Sequence, residues 1–517
     1  MSSTIRGDGT PLRHWRRRSV STGITCRGGR RGLFALLWLV PLAANLSCAS
    51  FSERLQVYRS HYGSGAFPEA QDEIDRLIAE EVGVAAQDIR DPRSLLTRDV
   101  SQGNAYLLVL EKAMTSVSLE DPDGAIDLLR AGRDQLDAHF SNSAADYVKS
   151  LAMDDATLDY AGADYEHVMV RVMLTICDLL MGGQDSYAYA LQIGEKQEEI
   201  IGSSFGESEH YKPRESYKRV AIGAYMEGVK REAELASGDA ALAYERAIQY
   251  WGDSADDSIL KEAYERARNN KRPPPGYGVL HVFYLAGRGP SLQETTTGTT
   301  ELATRIAGVL MAVFAKTPSA LIQAPVPVPA VQVSDSRIAS LQVVVAGGGR
   351  AATQAILDVN ALAIQQLEAN MPWIVARAMV RRALKAAAAA GVEYGVAQGV
   401  GGSGGDLAAF AAGAVTNLIL TASERADTRN WSSLPAEIQV ARLELPEGEQ
   451  EVSFDGGRNH PVRIRRGYDS YVVLLRPALR QPGVVLIDDY SRFRSSPPSG
   501  AQDSAGTGNP QANEVDP

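Results

Sequence analysis

Cysteine is nearly absent: Cys26, Cys48 and Cys177 are the only three in 517 residues. So few exclude a disulfide framework. Histidine is scarce as well, at seven, and His61, His139, His167, His210, His281 and His460 are scattered without the spacing of metal ligands. No metal site, cofactor site or catalytic constellation is expected. Long apolar runs are missing too, none reaching the about 20 residues of a membrane-spanning helix. Positive charge is in deficit, with a net charge of −11. From Met1 to Arg31 the chain holds eight arginines against Asp8, which leaves the rest near −18. Nucleic acid and anionic lipid are thereby excluded as general partners, because neutralising phosphates takes clustered Lys and Arg.

What is present begins with a leader. The arginine-rich stretch passes into an apolar run from Gly32 to Leu42, and "LAANLSCAS" follows. Basic, apolar and small-residue zones come in the order of a secretory signal. The end resembles a bacterial lipoprotein signal, in which the cysteine after a Leu-Ser step is acylated and becomes the N-terminus. That resemblance implies lipid attachment at Cys48, with Asn45 departing from the usual apolar residue. Ala49, instead of Asp, implies the periplasmic face of the outer membrane. An ordinary signal cut near Ala44 is the alternative. Cys177, inside "VMLTICDLLM", is expected to pack as a small hydrophobe.

From residue 48 to 270 the pattern is helical. Three stretches, from Asn104, Tyr165 and Tyr225, each read as two helices around a short polar turn, at Asp121 to Gly124, Gly182 to Asp185 and Ser237 to Asp239. The pairs Asp121/Ala125 and Asp239/Ala243 resemble the turn and close-packing alanine of tetratricopeptide repeats. The three turns lie too far apart in the chain for the short, even period of a regular array. Such hairpins stack to bury their apolar faces, giving a short solenoid with a concave surface suited to a protein partner; a plain bundle is the alternative. Glu166, His167 and Arg171 open one long helix, where adjacent side chains point apart, so a structural role is expected for them.

"NKRPPPGYG" from Asn270 ends the helical part. A β-rich connecting region is expected over 271–350, with "SLQETTTGTT" as an exposed loop and the prolines of "APVPVPAV" confining a strand to an edge. "VVVAGGGRAATQAIL" carries Gly347, Gly349 and Ala352 in a dinucleotide-like spacing, with Glu368 further on, but no second strand follows; a glycine-rich β-turn is expected instead. Over 351–430 a helical region should start at Pro372, bearing a solvated stripe of Arg377, Arg381 and Lys385. It continues through Gly391, Gly395 and Gly399 into "GGSGG" and the uncharged run Leu407 to Ser423. A tightly packed soluble hairpin is favoured there over a membrane-inserting one. An antiparallel β meander over 431–480 follows, with Trp431 clipping the helical hairpin to it. It resembles small β modules of envelope proteins. A disordered tail is expected over 481–517.

The order of leader, "DYEHVMVRVML", "LDVNALAIQQLEANMPWIVARAMVRRALK" and "ADTRNWSSLPAEIQVARLELPEGE" resembles a family of bacterial lipoproteins of unassigned activity with tetratricopeptide-like repeats. It implies an α+β, mainly α fold and carries no catalytic residue across. The expectation is a non-enzymatic, lipid-anchored periplasmic scaffold binding a protein partner through its helical surface during envelope assembly or export. Two alternatives stand beside it: an envelope glycan-binding protein or enzyme using an interdomain cleft, and an oligomeric membrane-associating component using the Gly-rich hairpin.

Overall fold

The computed structural model describes residues 51–95, 104–141, 160–203, 217–252, 258–314, 325–333, 338–399 and 425–488. All fall within one compact unit, Ser50–Pro517. The class is mixed α+β, about 53% helical and 21% strand, which makes it mainly α, with helices first and an antiparallel β region after them. Cys48 and the uncharged run Leu407 to Ser423 lie outside the described residues.

A short α1 (Phe51–Arg54) leads into nine helices among the described residues: α2 (Gln56–Gly63), α3 (Phe67–Val82), α4 (Ala105–Ser118), α5 (Pro122–Ser141), α6 (Asp164–Met181), α7 (Ser186–Gly202), α8 (Ala221–Ala233), α9 (Ser237–Trp251) and α10 (Ile259–Arg268). From α2 onward each packs on the next. Inner and outer helices alternate. Every residue of α4 is buried, and so is Tyr165 to Leu180 of α6. In α7 only a stripe is covered, Tyr189, Ala190, Ile193, Gln197 and Ile200 among it, and in α9 Ala240, Ala243, Tyr244 and Ala247. A helix with one apolar stripe meets one layer; a helix buried all round must meet two. The second layer is a β-sheet, which α6 touches at β10 and α8 at β6.

That sheet runs β11-β10-β1-β7-β6, formed by β1 (Tyr277–Ala286), β6 (Gln354–Asp358), β7 (Glu437–Pro446), β10 (Asp469–Arg476) and β11 (Val484–Ile487). At its centre β1 pairs antiparallel with β7 and parallel with β10. Its near-continuous apolar run is that of a strand covered on both faces. Phe283 and Leu285 join the helical core, while Leu280, Val282, Tyr284 and Ala286 face a second sheet, ordered β5-β4-β8-β9. The latter holds β4 (Gln342–Val345), β5 (Arg350–Ala352), β8 (Gly448–Phe454) and β9 (Asn459–Ile464). Three layers result: helices, five strands, four strands. A lateral cluster joins α11 (Glu301–Phe314), α12 (Val359–Gly399) and a ribbon of β2 (Ser291–Thr297) with β3 (Val326–Gln332).

Several expectations are corrected. The C-terminal strands do not run as one meander: β8 and β9 pair with each other, while β7 and β10 are separated by β1. "SLQETTT" is strand β2, its threonines suiting a pleated surface. The stretch expected as a disordered tail from residue 481 is ordered at its start, since β11 pairs with β10 from Val484. Pro372 lies inside α12, where it omits one backbone donor without ending the helix. Of the stripe expected to be solvated on α12, Arg381 is only 6% exposed and Arg377 is half-buried, while the side chain of Lys385 lies outside the described residues. Among the described residues no helix is long and apolar enough to cross a membrane.

Candidate functional site

Residues 428–436 form neither helix nor strand, yet all nine are buried. Irregular backbone normally stays at the surface because its polar groups need partners. Here the partners come from the inner helices, and we call this segment the strap. It lies between α4, α6 and the start of β7, where Trp431 is wholly buried in the core that helices and sheet share.

Two carboxylates hold it. Glu111 of α4 accepts from the Ser432 amide (2.7 Å), the Ser432 hydroxyl (2.7 Å) and the Ser433 amide (3.0 Å). Glu166 of α6 accepts from the Trp431 amide (2.7 Å), the Ala163 amide (3.1 Å), Tyr165 Oη (3.3 Å) and Tyr160 Oη. Both are fully buried. Burial raises the Glu111 carboxyl above the usual range against its hydrogen bonds and the charge of Arg59. Burial likewise pushes Glu166 up to about 6, opposed by its donors. Asn430 completes the strap: its Nδ2 donates to the Pro290 carbonyl (2.6 Å), and its Oδ1 accepts from Leu292 N (3.3 Å) and Arg59 Nη2 (3.2 Å). Arg429 pairs with Asp427 (2.7 Å) and donates to Asn104 Oδ1 (3.0 Å).

Beside the strap is a cavity of about 220 Å³, lined by Tyr58, Arg59, Tyr62, Arg288, Ser432, Ser433 and their neighbours, with no acidic residue among them. Tyr58 and Tyr62 sit one turn apart on α2 with ring centroids 5.8 Å apart. Their hydroxyls are engaged with α4: Tyr58 donates to the Glu111 carbonyl (2.9 Å), and Tyr62 accepts from Ser118 (3.4 Å). The rings are left to form the wall. Arg288 enters from the turn after β1, opened by Gly287 at φ +69, a backbone that favours glycine. Its guanidinium lies against Gly63, where a methyl group would stand 2.6 Å from Nη1.

The residues singled out in the sequence fall elsewhere. Glu166 turns to the strap, while His167 Nε2 meets the Ala161 carbonyl at 3.0 Å and its ring lies edge-on to Phe140; burial drops it to about 4. The two are not brought together. Arg171 is bound to Asp137 at 2.7 Å. Cys177 is buried, and desolvation pushes its thiol up to about 12. Gly347 and Gly348 turn between β4 and β5, and Ala352 ends a strand, so the dinucleotide-like spacing opens no helix. Among the described residues no three or more His, Cys, Asp or Glu side chains gather as a metal site would require.

Glu111, Tyr58, Arg59, Arg288 and Ser433 carry the site and were not singled out. One signal was present: "LLVLEKAM" puts Glu and Lys inside an apolar helical run, and charges there are almost always paired. Lys112 indeed meets buried Asp75. No family model, curated protein or solved structure matches the chain.

Proposed function

We propose that the protein is a lipid-anchored scaffold of the bacterial cell envelope, tethered through Cys48 at the periplasmic face of the outer membrane, and that a protein partner docks on its helices. The observation that carries this reading is the strap. A helical-repeat surface ordinarily grips a peptide on its inner face, and here the chain's own residues 428–436 occupy that face, held through the Trp431, Ser432 and Ser433 amides. The buried carboxylates that resemble acid–base candidates serve as clamps, which supports a rigid body over a carboxylate-based hydrolase. The partner surface is then the outer side of α5, α7 and α9, where Leu242 is 61% exposed.

A photo-cross-linking side chain at position 242, in cells, tests this. One adduct of discrete mass is expected there, and none from position 468 on the sheet side. Adducts from 468 alone would overturn the assignment of the surface. Cys48→Ser should move the protein from the membrane to the soluble periplasmic fraction; retention on membranes would remove the tether from the reading.

A further inference from the structure

We propose that the cavity between α2, the turn after β1 and the strap binds a small organic anion, a carboxylate or phosphate ester with a compact apolar body. The site does not depend on the tether or on the protein partner.

The first ground is unbalanced charge. Three other shielded arginines have a carboxylate in contact: Arg171 with Asp137 (2.7 Å), Arg266 with Glu232 (2.6 Å) and Arg442 with Glu444 (2.8 Å). Arg59 and Arg288 line one cavity, and among the described residues neither makes an ion pair. Glu111 attracts Arg59 from a distance, but its oxygens are taken by the strap. Of the two, Arg59 is the shielded one, and the exposed Arg288 sets a second positive charge beside it with no acidic residue lining the cavity. They oppose each other, and burial already disfavours the Arg59 charge. An oxyanion between them relieves both effects.

The second ground is unfilled hydrogen bonding. Arg59 Nη1 donates to Ser52 Oγ (2.8 Å) and Nη2 to Asn430, but its Nε is buried without a partner. The Ser433 hydroxyl also lines the cavity, beside Glu111 and Tyr58. A buried donor left unmade costs about 1–3 kcal/mol. Guanidinium nitrogens and a hydroxyl are the donor set that carboxylates and phosphates take, with the planar fork of arginine fitting two oxygens at once.

Size and wall chemistry set the rest. The 220 Å³ exceeds the about 150 Å³ that houses benzene in a protein core. A ring with its acidic head fits, and a folded domain does not. Tyr58 and Tyr62 offer ring surface because their hydroxyls are spent on α4. Arg288 is exposed and marks the mouth.

Calorimetric titration of the full chain with benzoate and with inorganic phosphate, at low and high salt, tests the site. Saturable binding is expected for at least one probe, weaker at high salt. Arg288→Gln should cut affinity about tenfold, the loss of one charge-assisted bond. This variant spares the fold, because the side chain is exposed with no hydrogen bond or ion pair among the described residues. Ser433→Ala should weaken binding with its thermal midpoint near that of the parent. Arg93→Gln, at an exposed arginine paired with Asp123, should leave it unchanged. Preference for benzoate or for phosphate tells carboxylate from phosphate ligands, and either supports the site. Failure of both probes to saturate by about 10 mM, or affinity indifferent to Arg288→Gln, overturns it.

Discussion

Glu166 and His167 are neighbours in the chain whose burial shifts their protonation in opposite senses of stability. Glu166 rises from an ordinary 4.5 to about 6, so the folded state holds its proton longer than the unfolded one. The stability this contributes is present below pH 4.5 and is lost as pH rises through about 6. His167 falls from 6.5 to about 4; its contribution is present above pH 6.5 and is lost as pH falls through about 4. Between 4.5 and 6 the two slopes, each about 1.4 kcal/mol per pH unit, oppose and nearly cancel. Glu166→Gln removes one of them. The stability difference between parent and variant, read from urea unfolding, should shift by on the order of 2 kcal/mol across that window, in the direction that makes the variant gain on the parent as pH rises. A difference curve flat in pH would mean that Glu166 is not protonated near 6. At this scale the sequence reads only in part. The buried charges of α4 stand out inside an apolar run, but the donors to Glu111 come from Ser432 and Ser433, near the other end of the chain, and spacing along one helix cannot name them.

The outer helices approach the inner ones through small residues. Gly228 of α8 shows how closely: a methyl group there would stand 2.5 Å from the Tyr244 ring of α9, and that ring is fixed by its hydroxyl on Glu232 (2.9 Å). Two effects compete in Gly228→Ala. Helix propensity gains about 1 kcal/mol, while overpacking against an anchored aromatic costs about 1–3 kcal/mol. The variant should therefore lose about 1 kcal/mol in chemical denaturation. In a Tyr244→Ala background the clash is gone and the same change should stabilise by a similar amount. Additive effects in the double variant would show that the rings do not constrain the approach. Helical hairpins of this kind are legible from sequence because their periodicity and turns are local. The alanines at 125 and 243 are buried as their spacing suggests. Strand partners are not local. The alternation in 437–475 identifies strands, but it cannot reveal that β1, which directly follows the helices in the chain, inserts beside β10. Nor does any periodicity announce the strap, whose order comes from carboxylates on other elements.

At the scale of the molecule, the sequence suggests modules in series, whereas one core runs through helices and sheet. Phe283, Leu285, Val440, Val473 and Trp431 belong to the same buried cluster as the inner faces of α4, α6 and α8. Neither layer can leave without exposing the other, because α4 and α6 are covered on both sides and Glu111 and Glu166 both depend on strap donors. A helical module standing alone would have to leave two carboxyl groups without those partners in an apolar face, a penalty of several kcal/mol. Loss of the helices and loss of the junction should then occur together. In a background with Trp15, Trp38, Trp251 and Trp373 replaced by Phe, Trp431 emission reports the junction and far-ultraviolet circular dichroism reports the helices. Their urea midpoints should coincide, and Trp431→Ala, followed by circular dichroism alone, should lower the helical midpoint by about 3–5 kcal/mol of stability. Helical signal persisting after Trp431 has become exposed would show that the helices fold as a body of their own, and with it the inner face would be open to a peptide after all.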